Sequence, residues 1–230
     1  MKNNFDELNI GTQIWATQNL DVNTFKNGEP IHETKTDEEW ETAGRNRKPA
    51  CCYYNNDPAN GKQYGKLYNF YAATDQRGLA PKGWHVPSDA EWKNLTDYLG
   101  GENLGEKKDS SAKMKSTSGW DESNGNGTNE SGFTALPGGC RIVNGSFYEI
   151  GSNCYFWSAT EESNPDARFR ANNDGSCNDG GREGNFWPKG KEMSPFGCSL
   201  DLAYMGARLY REPSFKSCGF SIRCVKDRFI

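Results

Sequence analysis

Apolar and polar residues alternate in short runs over much of this chain, and only a few stretches carry the longer spacing of a helix. The first run, Ile10-Gly11-Thr12-Gln13-Ile14-Trp15-Ala16-Thr17-Gln18-Asn19-Leu20, places β-branched and aromatic residues in near alternation and predicts an opening hairpin. Residues 32–48 are strongly charged and precede Pro49, which predicts a solvated turn of helix or a loop. Tyr64, Leu67, Phe70 and Tyr71 then fall at helical spacing, so a core helix is expected over 64–73. A second helix is better marked. Ser88-Asp89-Ala90-Glu91 is a capping box after Pro87, Trp92, Leu95 and Leu99 share one face, and Gly100-Gly101 stops it.

The pattern changes after residue 101. Residues 101–131 are polar and rich in Gly and Asn, with Lys107, Lys108, Lys113 and Lys115 around one short helix and expected on a solvated face. Short strand candidates follow at 132–136, 140–143, 146–150 and 155–159, with Asn144-Gly145 as a hairpin signal. The last run, 219–225, alternates again and puts Phe220, Ile222 and Cys224 on one side. Between these strands, residues 163–199 form a long polar excursion inside an otherwise ordered β region. Such excursions more often carry function than serve as linkers.

Composition sharpens this picture. Gly and Asn, at 26 and 23 of 230 residues, supply roughly a fifth of the chain and predict much irregular backbone. Aromatics at 13%, with seven Trp, provide enough large rings for a compact core beneath those loops. A net charge of -4 offers no positive excess for a phosphate backbone, so nucleic acid is not an expected partner. No window reaches the ~18 apolar residues of a membrane span, and Met1 to Asp6 contain no apolar signal core, which predicts a soluble chain with no membrane insertion.

The candidate chemistry is narrow. Two histidines, His32 and His85, exclude a multi-histidine metal site, and no Gly-x-Ser-x-Gly elbow accompanies either, so His85 reads as structural and no catalytic residue is expected. The eight cysteines are an even number without any Cys-x-x-Cys; disulfides of a secreted protein and buried free thiols both remain open. Asp121-Glu122-Ser123-Asn124-Gly125-Asn126-Gly127 lacks the fifth-position ligand and closing Glu of a calcium loop. No cofactor is expected, although a structural calcium would find oxygen donors among Asp57, Asp121, Asp174 and Asp179.

Several motifs together have the look of one family. Ile14-Trp15 through Asn19-Leu20, Tyr53-Tyr54-Asn55-Asn56-Asp57, Tyr64-Gly65-Lys66-Leu67-Tyr68-Asn69-Phe70 and Gly83-Trp84-His85-Val86-Pro87-Ser88-Asp89-Ala90-Glu91-Trp92 occur in order. Lys115-Ser116-Thr117-Ser118-Gly119-Trp120, Gly132 to Gly139, Phe156-Trp157-Ser158-Ala159-Thr160 and Gly219 to Asp227 continue the series. Over residues 10–227 the chain resembles the Fibrobacter succinogenes major paralogous domain. That resemblance implies a single surface or secreted bacterial domain, α+β, related to the C-type lectin fold and the formylglycine-generating enzymes. Such a domain has two helices, short antiparallel strands, termini joined in a small sheet, and long irregular loops for ligands.

Between Ala167 and Lys216 the chain departs from the usual family pattern, with a longer insert rich in Asn, Asp, Gly and Ser, and 163–217 is the candidate variable recognition region. Some C-type lectin-like proteins are varied by diversity-generating retroelements at adenine-containing codons, and this composition fits such a variable protein. The expected function is a non-catalytic binding module: a surface or pilus adhesin, or a phage receptor-binding tip, contacting a protein or glycan on another cell. Its ligand-contacting residues would be Arg168, Arg170, Asn172, Asn173, Asp174, Ser176, Asn178, Asp179, Arg182, Glu183, Asn185, Phe186, Trp187, Tyr204, Tyr210 and Arg211. Small polar groups there give adaptable hydrogen bonds, aromatics give rigid anchors, and arginines pair with acids. The alternatives are a cysteine-dependent enzyme of the formylglycine-generating type, drawing on Cys218 or Cys224 with Cys177 or Cys198, and a calcium-dependent glycan-binding lectin.

Overall fold

A computed structural model describes residues 5–101, 110–121, 125–162, 196–202 and 209–228. The opening hairpin pairs β1 (Glu7–Ile10) with β2 (Gln13–Ala16) through a two-residue turn at Gly11 and Thr12. Gly11 has φ +58°, which a two-residue hairpin turn demands of its first residue. The strands lie a little earlier in the chain than the alternation suggests, because Glu7 and Leu8 pair with Ala16 and Trp15.

The charged stretch after residue 32 is more ordered than its composition predicts. Strand β3 (His32–Glu33) leads into α1 (Asp37–Arg45), nine residues capped by the reciprocal Thr36–Glu39 box. Trp40 turns inward and is buried, so one aromatic fixes a helix whose other faces are polar. Strand β4 (Ala50–Cys52) follows and pairs with β3.

The single core helix expected over 64–73 does not form. Helix α2 (Pro58–Tyr64), capped by Asp57, stops at Gly65, where φ is +71° and a Cβ would sit 2.8 Å from the Leu20 carbonyl oxygen. Leu67 and Tyr68 then form β5 against β4, and Asn69 caps the four-residue α3 (Phe70–Ala73). Leu67 and Phe70 are buried as the spacing implied, but from separate elements. The side chain of Asn69 accepts from Ala72 N, capping α3, and also accepts from Ala50 N and donates to the Lys48 carbonyl, so it ties the break in the helix to the chain at β4.

Strand β6 (Trp84–His85) precedes α4 (Asp89–Leu99), which has the predicted Ser88–Glu91 box, the predicted buried face of Trp92, Leu95 and Leu99, and Gly100 at its C-terminus. Short helix α5 (Ser110–Met114) follows. Lys115 is buried, with its ammonium 4.3 Å from the Trp120 ring centroid, rather than on the expected solvated face, and half-buried Lys113 donates to the Leu99 carbonyl. Lys107 and Lys108 lie outside the described residues. Residues 132–136 make no strand. Phe133 enters the core, and Ala135 forms a lone parallel bridge with Lys115.

Strands β7 (Gly138–Arg141) and β8 (Phe147–Ile150) form the hairpin marked by Asn144-Gly145. With β9 (Cys154–Glu161), β10 (Phe196–Leu202) and β11 (Leu209–Phe215) they build a five-stranded sheet in the order β11-β10-β9-β7-β8. A second sheet, β1-β2-β12-β6, places β12 (Val225–Lys226) between the hairpin and β6, so residues near both ends of the chain pair directly. The third sheet is β3-β4-β5. The architecture is α+β.

The core lies on both faces of β9. On one side Phe156 meets Trp92 at 5.5 Å and Phe133 at 5.8 Å, and Trp15 lies 4.6 Å from Trp92. On the other side Trp157 and Tyr155 contact Phe220 at 4.4 and 5.0 Å, and Phe70 lies 5.3 Å from Trp157. Alternation along one strand therefore distributes its rings to two aromatic clusters. The terminal run 219–225 is covered on both sides: Ser221, Arg223 and Val225 are as buried as Phe220, Ile222 and Cys224.

Arg223 is the polar centre of this packing. Its guanidinium donates to the carbonyls of Ala16, Thr17 and Phe133 and twice to Asn19 Oδ1, and it lies 4.3 Å from the Phe133 ring centroid. Complete burial lowers its pKa to about 10, so it stays charged at neutral pH.

Candidate recognition face

The excursion identified from composition begins and ends on neighbouring strands. Glu161 at the end of β9 is the register partner of Gly197 in β10, and Glu162 N donates to the Phe196 carbonyl at 3.2 Å. Residues 163–195 therefore leave and re-enter the sheet through a closed stem. At the other end of β10, Leu202 pairs with both Cys154 and Leu209, and residues 203–208 link β10 to β11 there. The seven residues of β10 span ~20 Å at ~3.4 Å per residue, so the two segments are attached at opposite ends of one strand.

Side chains from distant parts of the chain hold the stem. The Phe196 and Phe215 rings lie 4.9 Å apart, and Lys216, almost wholly buried, bonds to Glu161 and faces the Phe70 ring at 5.4 Å. Gly197 packs so closely on Phe70 that a Cβ would come within 2.3 Å of the ring. The ladder is irregular between Gly197 and Ser199, which pair with Glu161 and Trp157. In the bulged stretch of β9, Ala159 N donates to the Pro87 carbonyl at 2.7 Å and Thr160 N to Ser158 Oγ. Thr160 Oγ1 in turn accepts from Asp89 N at 2.9 Å. The bulge thus docks the stem on the start of α4.

Arg211, in β11, is the register partner of Leu200 and donates to Asp89 Oδ2 at 2.7 Å. Cys198 lies nearby, its Sγ 3.9 Å from Glu162 Oε2. Desolvation, then the carboxylates of Asp89 and Glu162, push this thiol up to about 12. Tyr210 is the register partner of Asp201. The other predicted contact residues, from Arg168 to Trp187 together with Tyr204, lie outside the described residues. The structure thus brings Arg211 beside the excursion's stem and attaches the segment containing Tyr204 at the far end of the strand.

Sequence reasoning missed the supporting set: Phe70, Asp89, Thr160, Glu161, Gly197 and Lys216. Asp89 could have been found as the first residue of a marked helix, but its partner Arg211 is brought to it only by the sheet.

These strands belong to a recognisable family. The model of the Fibrobacter succinogenes major domain matches residues 8–226, from within β1 to the end of β12. The chain belongs to that family. Comparisons with curated proteins and with solved structures returned no significant match. In this Fibrobacter succinogenes major domain the match includes both stem strands and the whole excursion between them.

Other candidate chemistry is placed as follows. Cys51, Cys52, Cys154, Cys198, Cys218 and Cys224 are reduced, all buried except the half-buried Cys198; Cys140 is disulfide-bonded, and Cys177 lies outside the described residues. Desolvation pushes Cys218 and Cys224 up to about 12. Asp57 caps α2 through Ala59 N, and Asp121 lies against Gly151. Among the described residues no three His, Cys, Asp or Glu side chains converge as metal ligands would. Nor, among them, is any helix long and apolar enough to cross a membrane.

Proposed function

We propose that this domain is a non-catalytic ligand-binding module of C-type lectin-like fold, with residues 163–217 as its recognition region. The observation that carries this reading is the closed stem: a long polar segment leaves and rejoins a sheet whose strand β9 is packed on both faces. A rigid base of this kind allows the intervening segment to change sequence without disturbing the core. Pairing of the chain's two ends in one sheet, with a capped helix beside the central strands, supports the lectin-like fold.

The composition of 163–195 supports diversification by a retroelement, and its Arg and aromatic residues suit a protein or glycan ligand on another cell. An adhesin or a phage receptor-binding tip, acting outside the cell, fits that role. A cysteine-dependent enzyme is less well supported, because desolvation disfavours the thiolate at both Cys218 and Cys224.

Excision tests the proposal. Replacing residues 165–193 with a short Gly-Ser linker should leave cooperative unfolding intact and abolish binding to a panel of bacterial cells and immobilised glycans. Binding equal to that of the parent would overturn the assignment. Sequencing the 3′ end of the gene across sibling isolates tests diversification: substitutions should concentrate in adenine-containing codons of 163–217, whereas a uniform segment would remove that part of the proposal.

A further inference from the structure

Where residues near the two ends of the chain meet, His85 stands between two carboxylates. Its Nδ1 lies 2.8 Å from Asp227 Oδ1, just beyond β12, and its Nε2 lies 2.8 Å from Glu91 Oε1, in the first turn of α4. The two ring nitrogens point to opposite sides. Only an imidazolium, which donates from both, satisfies both acceptors at once.

The carboxylates are not equally held. Glu91 Oε2 accepts from both Ser88 N and Ser88 Oγ at 2.8 Å, so the capping box fixes that carboxylate whatever the imidazole does. The Asp227 carboxylate is more exposed, and among the described residues its side chain bonds only to His85. The neighbouring cations are engaged elsewhere: Lys226 of β12 with Glu7 of β1, Lys26 with the Trp84 carbonyl, Arg228 with Thr12, and Arg211 with Asp89 of α4.

We propose that His85 is a proton-operated latch on the C-terminal strand: the charged ring ties Asp227 to α4, and the neutral ring keeps Glu91 and releases Asp227. Loss of one proton leaves a bare nitrogen lone pair facing a carboxylate oxygen, which is repulsive. Because Ser88 prevents Glu91 from moving away, Asp227 yields. Strand β12 has only two residues, Val225 and Lys226, and the next amide, Asp227 N, donates to the Gly83 carbonyl at 2.9 Å. Releasing the side chain therefore removes the tie between Asp227 and the imidazole and loosens the end of a strand only two residues long. Both carboxylate contacts favour the charged ring and raise the histidine's pKa, which moves the release upward in pH. The latch is independent of the binding function proposed above.

The test is an NMR titration of the His85 ring together with hydrogen exchange at the Asp227 amide, corrected for intrinsic rate, between pH 5.5 and 8.5. In the parent protein, protection at Asp227 should fall about fivefold as His85 loses its proton, equivalent to about 1 kcal/mol. In Asp227→Asn the carboxamide accepts from the charged ring and donates to the bare nitrogen, so protection should no longer follow pH. His85→Gln should show the lower protection at every pH. An ordinary or lowered histidine pKa, pH-independent protection in the parent, or the same pH-dependent loss in Asp227→Asn would each overturn the latch.

Discussion

Two polar junctions hold the C-terminal run 219–227 in place, and they work in opposite ways. Arg223 is completely buried and donates to three backbone carbonyls and one carboxamide, neutral acceptors that keep their character across the usable pH range. His85 is partly exposed and lies between two carboxylates, so its bonding depends on its own proton. The comparison teaches that one sheet can contain both a permanent staple and a conditional one. Burial makes the first costly to remove, and solvent access makes the second easy to titrate.

The largest effect should come from breaking the permanent junction. Arg223→Met leaves the carbonyls of Ala16, Thr17 and Phe133 without their donor and should cost about 3 kcal/mol or more, measured by urea unfolding. A loss below ~1 kcal/mol would show that those carbonyls find other partners. Asn19→Ala removes one acceptor and its own bond to the Tyr64 carbonyl, and should cost about 1–3 kcal/mol at every pH.

The conditional junction should give a smaller, pH-dependent signal. His85→Gln should cost about 1 kcal/mol or less in acid, discounted for solvent screening, and approach zero in mild alkali. The sign follows from linkage. The histidine's pKa is raised by Glu91 first, against desolvation, and by Asp227, so its stabilisation is complete below the unfolded value of 6.5 and is lost as pH rises through the higher folded value. Glu91 moves the other way, its pKa lowered from 4.5 to about 2 despite desolvation by bonds from His85 and Ser88, so its contribution is present above 4.5 and disappears as pH falls toward 2. Stability measured against pH should therefore show this junction strongest between about 4.5 and 6.5. The smallest effect is that of salt: raising ionic strength to ~1 M should reduce the His85→Gln difference at pH 6 and leave the Arg223→Met difference nearly unchanged.

Local signals in the chain are legible in proportion to how completely neighbouring residues satisfy them. The capping box at Ser88–Glu91, its apolar face and its Gly stop need only residues within one helix, and α4 forms where they predict. The same spacing rule failed at 64–73, where Gly65 approaches the Leu20 carbonyl and Asn69 bonds to Lys48 and Ala50, all contacts to distant segments. Lys115 read as a surface charge because its burial comes with a parallel bridge to Ala135, twenty residues on, beside the neighbouring Trp120 ring. The excursion was visible as composition, but its stem was not: nothing near Glu161 in sequence identifies Gly197, Phe70 or Lys216 as the groups that close it.

By itself the sequence determined the family, the α+β class, the hairpins near Gly11 and Asn144, the helix at 89–99, and the existence of a long polar segment late in the chain. Those depend on residue order and local backbone preference, which act over a few positions. Only the tertiary structure decided that β9 supplies two cores, that Arg223 draws its acceptors from two distant segments, 16–19 and Phe133, and that 163–195 and 203–208 attach at opposite ends of β10. It also decided that His85, a structural residue from sequence, sits between two carboxylates. The reason is physical: burial and charge pairing depend on distance in space, and Asp227 joins Glu91 at one imidazole only after β12 has paired with β6.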